Sequence, residues 1–484
     1  LQNRRTMELT RTIPTEVVQL LTTAEAAEYR LVPFRREGAE VRCYGAAERD
    51  YADVVAELEV LYGWKVRVEL IAGEELLRLQ AQYYRPDSAA KKLSAAPAAS
   101  RLTDIASGQG FLTALIGEAF RDYASDIHIE PYEERCRIRL RIDGRLAERY
   151  VVGRPQYAPL VNQIKILANL DISEKRLPQD GRILYDRDGN KFDVRVSTLP
   201  TIYGEKVVLR LLTRHVELLE LRNLGFSERQ YDDYCRAIAR PFGMVLICGP
   251  TGSGKSTTLY ATLRRLNKTS DNILTIEDPI EYTLEGVNQV QLKEEIGLTF
   301  TSALRTFLRQ DPDIIMLGEI RDGPTAQMAV RSSLTGHLLF STIHTNTAWG
   351  AVARLADMDV HPYLVANTLV MTVAQRLVRL LCPHCKREVG ATDEVRRLLP
   401  GADFRAHFEP VGCERCFYTG YSGRRAVYEV IPMDDELSAA ARGGQADVAP
   451  LLTRRGIPSL RDAVVGLFLR GETSLDELIP LLNY

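Results

Sequence analysis

The sequence predicts an α/β protein: a strand–loop–helix core, an α+β domain ahead of it and a small α/β module at the amino end. Three observations lead there. A glycine-rich stretch, GPTGSGKSTTLY at 249–260, lies between the apolar run MVLIC and an amphipathic segment. Further apolar runs downstream end in acidic or histidine residues, and two Cys-x-x-Cys pairs follow them. Short strands alternating with helices, with polar groups at the strand ends, are the pattern of a parallel sheet.

Bulk properties bound the reading. At 484 residues the chain is too long for one core, so two to four domains are expected. Lys plus Arg total 62 against 64 for Asp plus Glu, a net charge of -2, where a dedicated nucleic-acid binder would be more basic. No nucleic-acid partner is therefore expected. No apolar run approaches the length of a membrane span, and the opening LQNRRTMELTRTIP lacks a signal-peptide core, so the expected location is cytoplasmic. Eight cysteines in so long a chain do not make a disulfide framework.

The elements follow in order. Residues 1–84 form the first module: RLVPF, EVRCYG and KVRVELI read as strands, and DYADVVAELEVLYG and EELLRLQAQYY as helices. It carries no catalytic cluster, so it is either a packing or a docking module. Residues 85–104, rich in Ala, Ser, Lys and Pro, read as a flexible linker. Residues 105–213 form the α+β domain. LTALIGEAFRDYA is a helix, and SDIHIEPYEERCRIRLRIDGRLAERYV is two alternating strands with turns at 131–134 and 143–144. APLVNQIKILANL is a second helix, GRILYDRDGNKFDVRVSTLP a hairpin, and GEKVVLRLL a buried closing strand. Residues 214–224 link to the core at 225–380. A lobe at 381–423 carries the cysteine pairs, and a helical region at 424–484 ends the chain.

The core carries the chemistry. In G-x-x-x-x-G-K-[ST], placed between a strand and a helix, backbone N–H groups and the helix N-terminus face phosphate oxygens. The cradle comprises Gly249, Pro250, Thr251, Gly252, Ser253, Gly254, Lys255, Ser256 and Thr257. Lys255 would meet the β- and γ-phosphates, and Ser256 would ligate Mg²⁺. In NILTIEDPIEY, Glu277 is the candidate for polarising attacking water, whereas Glu281 also fits a solvated loop acid. LRQDPDIIMLGEIRD puts Glu319 at the end of a buried strand, where it would hold Mg²⁺ through water. TGHLLFSTIHTN puts His344 at a third strand end, in reach of a γ-phosphate, and leaves His337 to brace loops. Ligands of parallel sheets gather at the carboxyl ends of strands, which is where these groups stand.

These boxes, in this order, resemble the secretion ATPase superfamily. SDIHIEPYE, LPQDGRI and DVRVSTLPTIYGEKVVLRLL match the domain that precedes its ATPase core. The resemblance covers residues 105–484 and, more faintly, the first module. It is nearest to the assembly ATPase of type II secretion, with the type IV pilus extension ATPase as alternative and a DNA-translocating ring ATPase as a distant one. It implies a RecA-like core, a homo-hexameric ring and ATP held between the α+β domain and the core. Arg195 and Arg210 would reach the γ-phosphate, and Arg305, Arg309 and Arg321 would link domains and neighbours. The implied partners are an inner-membrane anchor with a cytosolic domain, met through the first module, and a polytopic platform protein. A separate amino-terminal module and paired cysteines favour assembly over pilus retraction. The single short module and the total length favour secretion over pilus extension.

CPHC at 382–385 and CERC at 413–416 can supply four thiolates, Cys382, Cys385, Cys413 and Cys416, to a tetrahedral Zn²⁺. A closed thiolate shell makes such a zinc structural, with His384 pointing away. Cys43, Cys136, Cys235 and Cys248 are expected as buried thiols.

Overall fold

A computed structural model describes residues 13–21, 23–84, 110–187, 189–212, 220–400, 402, 404–416 and 419–482. The linker expected at 85–104, the opening residues and most of the join at 214–219 lie outside these. The chain packs as two units, residues 1–213 with 411–420 and residues 214–410 with 421–484.

In the first unit, β1 (Leu31–Glu37), β2 (Glu40–Ala46) and β3 (Lys65–Ile71) form a three-stranded sheet. Helices Ala52–Tyr62 and Gly73–Tyr83 complete the module around Leu31, Val41, Leu58 and Leu76. It is bonded to the following domain: Glu16 pairs with Arg135, and the Gln19 side chain accepts from the Val151 N–H at 3.1 Å. Val151 lies on an edge strand, whose outward N–H groups need partners.

That domain is a six-stranded antiparallel sheet in the order β6-β5-β4-β9-β8-β7. Its strands are β4 (Ala124–Pro131), β5 (Arg135–Ile142), β6 (Arg145–Gly153), β7 (Gln179–Arg187), β8 (Asn190–Thr201) and β9 (Gly204–Leu212). The segment expected to give two strands gives three. Asp143 and Gly144 both take positive φ, 47° and 83°, and turn the chain into β6. One face packs Ile127, Ile129, Leu140 and Val194 against helices Gly110–Arg121 and Arg154–Leu167. The period of two sends Asp126, Arg141, Arg195 and Arg210 to the other face. The closing strand, expected to be buried, is buried on one side only.

The second unit is built on a seven-stranded sheet in the order β12-β11-β13-β14-β10-β15-β18. Here β10 is Gly243–Cys248, β11 Ile273–Glu277, β12 Asn288–Gln291, β13 Ile314–Leu317 and β14 Leu338–Ile343. These and β15 (Leu369–Leu381) pair in parallel, and β18 (Tyr421–Pro432) closes one edge antiparallel to β15. Residues 424–432, expected at the head of a helical region, are thus strand, and helices follow from Asp435. Buried strands on both faces read as continuous apolar runs, which is why β10, β13 and β14 were legible. A two-stranded sheet of β16 (Arg387–Gly390) and β17 (Ala406–Glu409) lies within the lobe. Cys43, Cys136 and Cys248 are buried as expected, but Cys235 is only half-buried.

Candidate active site

β10 carries a buried apolar run into the glycine-rich loop, and helix Lys255–Leu266 begins directly after it. Gly254 has φ 88°, and a Cβ there would lie 2.8 Å from Gln375 Nε2. At Gly249 a Cβ would meet the Gln375 carbonyl oxygen at 2.6 Å. Glycine at both positions therefore lets the loop lie against β15. Lys255 Nζ donates to the carbonyls of Gly249 and Pro250, at 2.8 and 3.0 Å. Burial lowers the pKa of its ammonium, while the Glu319 carboxylate acts in the opposite direction. Ser253 Oγ is buried without a partner. An orphaned hydroxyl in a loop of backbone donors at a helix start is the chemistry that receives a polyanion. Ser256 is exposed on the first helical turn, where a metal ligand must be reachable.

Glu277 ends β11 and is 4% exposed. Its Oε1 accepts from Thr275 Oγ1 at 2.6 Å and Gln289 Nε2 at 3.1 Å, and its Oε2 accepts from the Tyr260 hydroxyl. A carboxylate has roughly four lone-pair sites. Three are used, so the group is held in one orientation with capacity for one further donor. Burial, then the Glu277 carboxylate, push the Tyr260 phenol far above its ordinary pKa and keep it a donor. Asp278 is exposed just beyond the strand, and the Glu281 N–H donates to the Tyr260 hydroxyl at 3.1 Å.

Glu319 follows β13 and sits between two cations or potential cations. Its Oε1 pairs with Arg321, and its Oε2 meets His344 Nε2 at 3.1 Å. Arg321 also approaches Asp278 at 3.5 Å. Within this chain Arg321 thus belongs to the acid cluster around Glu319. Arg309 turns back to the Arg305 carbonyl, 3.0 Å away, on its own helix. His337 does brace its loop: Nδ1 lies 2.9 Å from the Ser332 carbonyl oxygen.

The structure adds residues the motifs did not name. Gln375 is 2% exposed, and its Oε1 accepts from Thr258 Oγ1 at 2.9 Å. Arg376 donates to the Gln375 carbonyl and, at 2.9 Å, to the Asn346 carbonyl, two residues beyond His344. These neighbours on β15 tie the glycine-rich loop to the histidine loop. The available signal was a polar pair, QR, inside the apolar run LVMTVAQRLVRLL.

In the other unit, Arg195 and Arg210 are register partners on β8 and β9. Arg210 Nε donates to Asp126 Oδ1 at 2.9 Å, and Arg141 approaches the same carboxylate at 3.4 Å. Arg182 is the next partner across from Arg195. One row of this face thus runs Arg141, Asp126, Arg210, Arg195 and Arg182; Asp126 pairs with Arg141 and Arg210, and Arg182 with Asp193.

The Sγ atoms of Cys382, Cys385, Cys413 and Cys416 lie within 4.8 Å of one another, with 3.8 Å between Cys413 and Cys416. Tetrahedral sites with metal–sulfur bonds near 2.3 Å have edges of about 3.8 Å. The donor set therefore fits a closed tetrahedral metal shell.

With this geometry in view, comparison with known proteins is decisive. The family described as Type II/IV secretion system protein matches residues 102–480. The chain belongs to the secretion ATPases. The type II secretion system protein E of Pectobacterium carotovorum subsp. carotovorum is 40% identical over 96% of this ATPase and 97% of its own length. The type IV pilus assembly ATPase PilB of Thermus thermophilus is 44% identical over 78% of the chain but only 43% of its own. The solved Legionella pneumophila ATPase DotB superposes with a TM-score of 0.58, covering 77% of this secretion ATPase and 95% of DotB. At 22% identity that likeness speaks for the fold alone.

Proposed function

We propose that this chain hydrolyses ATP with Mg²⁺ to drive assembly of a type II secretion pseudopilus, and with it protein export across the outer membrane. The observation that carries the reading is the end-to-end match to a type II secretion protein E, amino-terminal module included. The pilus relative is matched over less than half its length, which favours secretion over pilus extension.

The residue roles follow from the site. The loop 249–257 binds the triphosphate, and Lys255 turns from its loop carbonyls to the β- and γ-oxygens. Bound magnesium supplies charge neutralisation, and Ser256 and Glu319 are the residues to hold it. Glu277, fixed by three donors, uses its remaining lone pair to align the attacking water. His344 shares Glu319 and senses the γ-phosphate end. Arg195 and Arg210 stabilise the charge that develops on the transferred group. The four cysteines hold a structural Zn²⁺. The working form is a homo-hexamer, peripheral to the inner membrane. It is held there by an anchor protein that meets residues 1–84 and acts on a platform protein. Among the described residues no helix is long and apolar enough to cross a membrane, and in this reading partners supply the attachment.

Complementation tests the reading. In a strain lacking its type II secretion ATPase, with a matched anchor protein, the chain should restore export, and Glu319→Gln should not. Restoration of pilus extension instead would favour the pilus reading.

A further inference from the structure

Away from the strand ends, helices Gly350–Asp357, Pro362–Thr368, Asp435–Arg442, Ala449–Arg454 and Leu460–Leu469 contribute to the walls of a pocket of about 870 Å³. Sites for small organic ligands span roughly 300–1,000 Å³. Val352, Val365, Leu452 and Ile457 give it apolar walls. Its lining also includes Glu429 of β18, only 5% exposed. Glu429 Oε1 accepts from the Ala348 N–H at 3.3 Å. Burial raises the pKa of this carboxyl, partly offset by backbone donors at Ala348 and Leu460. A carboxylate so placed is costly to ionise; Arg376 offsets part of that cost, Asp462 adds to it, and a bound cation would offset more. The other charged groups on the lining are Asp357, Asp447 and Asp462 against Arg461, so acids outnumber bases four to one with Glu429 included.

We propose that this pocket binds a small organic cation, an ammonium or guanidinium on an apolar body, with its charged end on Glu429 and its body among Val352, Val365 and Leu452. The size, the apolar walls and the acidic excess select that class together. An anion would face the acidic lining, and a neutral apolar molecule would add nothing to the attraction that Arg376 and the backbone donors already give Glu429. The inference concerns ligand binding and does not depend on what the chain does with ATP.

The protein carries its own reporter. It has two tryptophans, Trp64 and Trp349. Trp349 lines the pocket, with Nε1 donating to the Gln445 carbonyl at 2.9 Å. In a full-length Trp64→Phe background, Trp349 fluorescence is titrated with 4-phenylbutylammonium, 4-phenylbutanol and 4-phenylbutyrate. The ammonium should give a saturable change and bind at least about tenfold tighter than either analogue, a difference of about 1.4 kcal/mol. Glu429→Gln should erase that preference. Ala353→Phe, on an exposed helix position at the pocket, should abolish binding with the fold intact. No saturable binding, equal affinity for the three probes, a preference that survives Glu429→Gln, or binding that survives Ala353→Phe would each overturn the proposal. If Glu429→Gln fails to fold, the probe series and Ala353→Phe still decide.

Discussion

The two main sheets present charged groups in opposite ways. In the parallel sheet Lys255, Glu277, Glu319 and His344 stand at or just beyond strand ends, and Glu277 is locked by three bonds. In the antiparallel sheet Arg195 and Arg210 stand in mid-strand on an open face, and the side chain of Arg210 is 59% exposed. A strand end converges loops on one point and can hold a group in a single geometry. A sheet face spreads charge along a row and holds long side chains by lateral pairs such as Arg210–Asp126 rather than by converging loops. The first arrangement suits groups that act at fixed positions. The second suits groups that engage only when something is brought to them.

Substitutions can break this contrast, and Arg210→Ala should have the largest effect on rate. If it serves only the transition state, turnover should fall by roughly 10³-fold or more while ATP affinity changes far less. Steady-state hydrolysis beside equilibrium nucleotide binding measures both. Equal losses in the two would make Arg210 an ordinary binding residue. Glu277→Gln keeps the shape but removes the charge, and should lower turnover by about 10²–10⁴. Nucleotide binding retained in that variant would sharpen the division between holding ATP and aligning water.

Two further changes probe the supports. A structural zinc contributes on the order of 10–16 kcal/mol of apparent binding free energy in small zinc domains. Cys382→Ser should therefore release the metal and loosen the lobe, while the glycine-rich loop still binds ATP. Metal analysis of wild type and variant beside nucleotide titration gives the answer, and a metal-free wild type would end the zinc assignment. Gln375→Leu removes an acceptor from the buried Thr258 hydroxyl. It should cost roughly 1–3 kcal/mol of stability in denaturant unfolding. It should also raise KM more than it lowers kcat, because it loosens the cradle without touching the acids.

The sequence showed the strand ends because each is marked by a short apolar run closed by a polar residue whose chemistry is specific. It did not show how Glu277 is held. Tyr260 and Gln289 reach it from a helix and an edge strand, and neither position carries a local signal. β15 and β18 were missed for a related reason. They are neighbours in the sheet but lie on either side of the cysteine lobe, so no hairpin pattern joins them. The turn at 143–144 was legible, yet the third strand beyond it was not counted, because RLAERYVVG forms a sheet edge without a buried position and shows no clean alternation. The pairing of Arg321 with Glu319 and Asp278 was not legible either, because these acids converge on it in space from two different strand ends.

Leu381 and Tyr421 are register partners on β15 and β18. Everything between them, cysteines included, leaves and re-enters the sheet through two adjacent backbone positions. Lengthening a closed loop adds only about 0.6 kcal/mol of entropy per doubling, and a metal clip within it offsets part of that. The lobe is thus one insert at one seam, and it is also packed down: Phe404 and His407 meet Phe468, and Lys386 donates to the Gly471 carbonyl. A β-turn joining Leu381 to Tyr421 would therefore keep the backbone ladder but uncover the part of the core that Val395 and Leu399 fill. The seam thus couples the lobe to the same strand from which Gln375 and Arg376 hold the phosphate loop.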